Sequence, residues 1–162
     1  KEINIFLSAI KEFENIYFIF TFSNSDTEGN YYNKKILDFK KGKKNIFIVP
    51  SFGSKYLSML KHCDCIIGNS SSGIIEAPII KTPTINIGQR QDGREFSRSI
   101  FNCKNKKSEI IKKINYLSKN KKIIYDKIFY KKKTAYNIFN QILLITKNLN
   151  ENSYKKKFYE KK

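Results

Sequence analysis

Short apolar runs alternate along this chain with segments whose apolar residues recur at helical spacing, and few architectures accommodate that order. Ile3, Phe6, Leu7, Ile10 and Phe13 mark one face of a helix, and Ile16 to Phe22 then reads as a buried strand rich in β-branched and aromatic residues. The pair repeats. A polar turn cluster at 23–30 precedes a helix around Tyr31 to Phe39, a stop at Gly42 and a strand at Asn45 to Val49. Pro50 and Gly53 break the chain before a helix at Lys55 to His62; a short strand at Cys65 to Gly68 follows, then a helix around Ile74 to Ile80 and a strand at Thr84 to Ile87. Beyond the loop 88–98 the pattern predicts a strand at Ser99 to Cys103, a helix at Ser108 to Leu117 and a long helix around Lys133 to Asn148. Strands apolar throughout, separated by amphipathic helices, predict a parallel sheet covered on both faces. The expected fold is a doubly wound, Rossmann-like α/β domain over residues 1–148, with 149–162 a basic, solvated and frayed tail.

With 162 residues the chain has the length of one domain, and 40% hydrophobic residues suffice to close one core. A disordered tail protein is excluded for most of the length. No apolar run approaches the roughly 18 residues that would span a bilayer, so no membrane partner is expected. The chain opens on Lys1 without an apolar signal region, and is expected to be an internal or C-terminal piece of a longer cytoplasmic protein.

A net charge of +18 invites a nucleic-acid reading. Yet all but three of the 32 basic residues are lysines, spread from end to end among abundant Ile and Asn. Lysine is then the background solvated residue, and the expectation is no nucleic-acid partner. The three arginines, Arg90, Arg94 and Arg98, are confined to one stretch and carry more information, because arginine alone supplies a planar bidentate fork. Cys63, Cys65 and Cys103 have no CxxC spacing and His62 is the single histidine, so no metal site and no Cys-His nucleophile is expected.

In open parallel sheets, ligands sit outside the carboxyl ends of the strands. The segment GNSSSGIIEAP at 68–78 leaves a strand, passes three hydroxyls and enters a helix, which is the arrangement of an anion site built from backbone N–H groups, serines and a helix dipole. A single serine would suffice to cap that helix; Ser70, Ser71 and Ser72 exceed the need. Glu76 is not part of a capping box, since Gly73 holds the position of the required hydroxyl. A carboxylate one turn beyond a phosphate cradle suits the two hydroxyls of a ribose. The next such loop, NIGQRQDGR at 86–94, adds Arg90 and Arg94 for phosphate oxygens. Asn24 and the turn at 50–53 follow the first two strands, where either ordinary turn chemistry or contact with the nucleoside end accounts for them. A nucleoside diphosphate is the ligand this combination fits. GxxxxGK[ST] and GxGxxG loops are both absent, which disfavours kinase-like and nicotinamide-dependent chemistry.

GNSSSGIIEAP followed by PTINIGQRQDGR, at Pro83 to Arg94, resembles the C-terminal domain of the hydrolysing UDP-N-acetylglucosamine 2-epimerases of sialic-acid-type sugar synthesis, and YLSMLKHCDC at 56–65 fits the same pattern. The non-hydrolysing branch carries a DSGG-type loop and lacks the RQxGR string. The resemblance covers roughly Ile3 to Lys147 and implies the second half of a glycosyltransferase-B-like two-domain fold. It further implies that Ser70, Ser71, Ser72 and Gly73 hold the diphosphate of UDP, that Glu76 meets the ribose and Arg90 the phosphates, that Asn24 lies at the nucleotide, and that the turn at Ser51 and Phe52 meets the uracil.

The family's acid/base carboxylates belong to an N-terminal domain absent from this chain, so the resemblance implies a missing catalytic partner domain, a homo-oligomeric full-length enzyme and no cofactor. UDP would be eliminated after loss of the C2 proton, and water would then add to the glycal. The piece alone is expected to be inactive. A nucleotide-sugar glycosyltransferase half and a basic nucleic-acid-binding module stand as alternatives, and the sugar, plain N-acetylglucosamine or a diacetamido relative, is left open.

Overall fold

A computed structural model of the chain describes residues 2–23, 29–120 and 122–147. The chain divides into two compact units, residues 1–129 and 130–162. The first carries α1 (Glu2–Ile10), β1 (Phe18–Thr21), α2 (Gly29–Lys40), β2 (Ile46–Val49), a 3₁₀ turn (Gly53–Lys55), α3 (Tyr56–Lys61), β3 (Ile66–Gly68), α4 (Ser72–Ile75), β4 (Thr84–Ile87), β5 (Ile100–Cys103) and α5 (Lys107–Lys119). The second carries α6 (Thr134–Lys147), along which Ile138, Phe139, Ile142 and Leu143 recur at helical spacing.

Every strand pair is parallel. β1 pairs with β2, Phe18 opposite Ile46, while β4 lies between β3 and β5, with Thr84 opposite both Ile66 and Ile100. Parallel strands joined through helices give the α/β fold that the sequence pattern predicts. Leu7, Ala9 and Ile10 of α1, Phe18 of β1, Ile46 of β2, Ile85 of β4, Cys103 of β5 and Ile110, Ile114 and Leu117 of α5 form one cluster, so the two small sheets share a core. Each large apolar side chain buried there contributes about 1.5–3 kcal/mol. Asn45 ties the start of this unit together: its Nδ2 donates to the carbonyls of Phe13 and Ile16.

β4 is buried on both faces at Thr84, Ile85 and Asn86, as expected of a central strand in a doubly wound sheet, and the Asn86 amide donates across the ladder to Asn102 at 2.8 Å. β1 and β2 differ. The run Ile16 to Phe22 narrows to Phe18–Thr21, and Ile19 and Phe47 are exposed while Phe18 and Ile46 are buried, so this pair is covered on one face. The helix expected around Ile74 to Ile80 is also shorter. Only the first turn, Ser72–Ile75, is regular α-helix; the Ala77 N–H reaches back to Ser72 O, and Pro78 offers no N–H at all. The chain then closes with Thr82 N–H on Ala77 O, Lys81 N–H on Pro78 O and Lys81 at φ +65°, the left-handed C-terminal arrangement of a Schellman motif.

Candidate functional site

At the carboxyl ends of β1 and β2 the surface opens into a groove of about 810 Å³, lined by Phe22, Ser23, Pro50, Ser51, Phe52 and Tyr56 among others. This is where an α/β sheet presents ligand sites. The groove wall is a stiff turn: Gly53, at φ +49°, donates its N–H to Ser51 Oγ at 3.1 Å, and Lys55 N–H bonds Phe52 O. Ser51 is exposed and Phe52 half-buried. Asn24 lies outside the described residues.

Tyr56, the first residue of α3, connects this groove to the serine loop, because its hydroxyl shares a 2.8 Å hydrogen bond with Ser72 Oγ. Ser72 N–H in turn donates to Ser70 Oγ at 3.3 Å. Ser71 accepts the N–H groups of Ile74 and Ile75 on its carbonyl, while its side chain makes no capping bond and is exposed. Gly73 is buried, and a Cβ there would stand 2.8 Å from Thr84 Cγ2. The glycine lets α4 approach β4, and Thr84 Oγ1 donates to Gly73 O at 2.7 Å across the contact. Glu76 closes the first turn, half-buried, with its N–H on Ser72 O.

The loop after β4 reaches the same place. Arg90 Nη1 donates to Asn69 O at 3.2 Å, and Gln91 Nε2 donates to that same carbonyl at 2.8 Å. Gln91 is only 4% exposed. Arg94, exposed, bonds Gln91 O through its backbone N–H. Arg98 departs from this group. Its fork is bidentate on Asp126, at 2.6 Å between Nη2 and Oδ1, and its backbone N–H also donates to that carboxylate. These bonds hold the Asp126 carboxyl down at about 2 and fasten the segment after α5 to the residues entering β5.

The structure therefore gathers Ser70, Ser71, Ser72 and Arg90 around Asn69, and joins them through Tyr56 to the turn bearing Ser51 and Phe52. Tyr56 and Gln91 carry no role in the sequence reading. Their partners lie 16 and 22 residues away, and the only available signal was their place at the carboxyl ends of strands. The three thiols are free; burial raises all of them, Cys65 to about 12. Among the described residues no group of three His, Cys, Asp or Glu could hold a metal ion, and no helix is long and apolar enough to cross a membrane.

Residues 1–143 match the family model described as UDP-N-acetylglucosamine 2-epimerase. The chain is similar to polysialic acid biosynthesis protein P7 of Escherichia coli, 40% identical over 76% of this chain and 32% of that protein. It is 41% identical to GDP/UDP-N,N'-diacetylbacillosamine 2-epimerase (hydrolyzing) of Campylobacter jejuni, over 62% of this chain and 27% of that one. The chain thus spans about a third or less of the length of these curated relatives. Its fold matches the UDP-GlcNAc 2-epimerase of Methanocaldococcus jannaschii, solved in complex with UDP-GlcNAc and UDP, with a TM-score of 0.69 at 21% identity over 88% of this chain and 39% of that one.

Proposed function

Because the chain belongs to the UDP-N-acetylglucosamine 2-epimerase family, we propose that it forms the UDP-binding part of a hydrolysing member, which converts UDP-N-acetylglucosamine and water to N-acetylmannosamine and UDP. The observation that carries this reading is the position of the 69–73 loop. It is bonded on one side to Arg90 and on the other, through Tyr56, to the groove at the ends of β1 and β2. A diphosphate lying on Ser70, Ser71 and Ser72 has the forks of Arg90 and Arg94 beside it. Glu76 takes the ribose hydroxyls, and the uracil reaches the turn at Ser51 and Phe52, with Asn24 on the same side. Gly73 supports the loop from beneath.

In the reaction, a carboxylate of the N-terminal catalytic domain removes the C2 proton and the C1–O bond breaks, leaving a glycal and UDP. Water then adds to the glycal, and a proton returns to C2 from the opposite face. Negative charge grows on UDP as it departs, and fixed donors aimed at that charge lower the barrier. The hydrolysing assignment follows the GNSSSG form of the loop and the hydrolysing activity for which the Campylobacter relative is named. That relative's diacetamido sugar is the second substrate reading, since the Campylobacter protein, at 41% identity, is as similar to this chain as the Escherichia coli protein at 40%.

Calorimetric titration of the chain with UDP and GDP tests the site. UDP binding is expected in preference to GDP, and Glu76→Ala is expected to reduce the preference of the site for UDP over ribose-free pyrophosphate. Absent binding of UDP refutes the site assignment, and GDP binding equal to that of UDP removes the uracil contact at Ser51 and Phe52 from it.

A further inference from the structure

Two side chains donate to one carbonyl at the centre of the site, and they are not equivalent. Gln91 is buried and its bond to Asn69 O is 2.8 Å; Arg90 is exposed and its bond to the same oxygen is 3.2 Å. Donation through Nε2 fixes the amide's orientation, which leaves Gln91 Oε1 buried with no hydrogen-bond partner among the described residues. A glutamine kept only for stability should satisfy both ends of its amide, because an orphaned buried acceptor is destabilising. We propose that Gln91 is a positioning residue of this site, a latch on Asn69 that holds the serine loop in register while Arg90 lets go of the same carbonyl and turns its fork to the diphosphate. The inference rests on the UDP reading above.

The chemistry orders the two bonds. A carbonyl oxygen has two lone pairs and accepts both donors at once. A phosphate offers the guanidinium charge-assisted, bidentate bonds that outcompete a single long bond to a neutral carbonyl. When the anion draws Arg90 away, Gln91 still holds Asn69 O, so the loop bearing Ser70 and Ser72 keeps its place. Without Gln91, Arg90 is the remaining side-chain donor to Asn69 O among the described residues, and diphosphate binding has to break that bond.

The test is Gln91→Met in this chain, titrated with UDP by calorimetry and with uridine by NMR shift changes at Ser51 to Gly53, alongside a thermal melt. UDP affinity is expected to fall about tenfold, the loss of roughly one hydrogen bond, with uridine binding unchanged and the melt unchanged or raised because the orphaned acceptor is gone. Unaltered UDP affinity overturns the latch. So does a lowered melt in which UDP and uridine binding weaken together, the signature of a structural glutamine. Should the methionine variant not fold, Gln91→Glu keeps the volume and sets an acceptor against Asn69 O, with the same loss of UDP and retention of uridine expected; failure of both variants to fold makes Gln91 structural and overturns the proposal. If the unsubstituted chain binds no UDP, the site reading fails and the latch with it, whereas UDP binding that Gln91→Met leaves intact refutes the latch alone.

Discussion

Gly73 illustrates how a single residue in a ligand loop can be fixed by packing. The position that a Cβ would occupy lies 2.8 Å from Thr84 Cγ2 and 3.6 Å from Ile66 Cγ2, inside the contact between α4 and the strands β3 and β4. Thr84 is itself buried and anchored by its bond to Gly73 O, so it has no room to retreat. Gly73→Ala is therefore expected to destabilise the chain by about 1–3 kcal/mol, the usual cost of forcing a methyl into a packed site. Thr84→Ser removes the opposing methyl and keeps the hydroxyl. The double variant Gly73→Ala/Thr84→Ser is expected to lose less stability in urea melts than the two single variants added together, and strict additivity would show that the clash lies elsewhere.

At the scale of elements, the segment after α5 is held by electrostatics more than by regular structure. Asp126 accepts four bonds from three Arg98 donors, its own N–H donates to Ser97 Oγ, and Ser97 shares a hydrogen bond with Ser99, just before β5. The folded carboxyl sits at about 2 while an unfolded aspartate titrates near 3.9. A depressed acid stabilises the fold fully above its unfolded value, and the contribution is lost as pH falls from about 4 through about 2. Asp126→Asn is expected to lower the melting temperature by a constant amount above pH 5, and the gap to the unsubstituted chain is expected to narrow as pH falls from about 4 and to close below about pH 2. A gap that persists there would point to packing.

This tie was not legible in the sequence, since Arg98 and Asp126 are 28 residues apart and nothing local marks them as partners. The strands were legible because Ile, Val and Phe cluster in them between turn residues. Their ends were less so: Tyr17 and Phe22 are apolar by type and extend the run, yet Tyr17 is 73% exposed and β1 pairs only over Phe18–Thr21. The early end of α4 follows from Pro78, visible in the sequence but read as part of the helix. The meeting of the serine and arginine loops was predictable because they leave β3 and β4, which are neighbours in one parallel sheet. What pins them, two donors on Asn69 O, depends on side-chain geometry that no spacing rule contains.

For the whole molecule the deciding quantities are charge and extent. A surface at +18 attracts any polyphosphate before specific contacts form, so retention of UDP alone says little, and the comparison with GDP of equal charge isolates the site. Turnover makes a stricter demand. Under the proposed function the donors for the leaving diphosphate lie in this chain, and the groups that move the C2 proton lie in the two thirds of the relatives' length that it does not span. Binding and chemistry should then separate. Fixed donors stabilise a departing anion, but the C2 proton must first have a base within hydrogen-bond reach, and positioning alone does not replace it. The chain is expected to bind UDP and to release neither UDP nor N-acetylmannosamine from UDP-N-acetylglucosamine above the background of heat-treated protein, followed by chromatography over hours. Release at an enzymic rate would place the acid/base groups within these 162 residues, and the carboxylates nearest the serine loop, Glu76 first, would become the candidates for proton transfer.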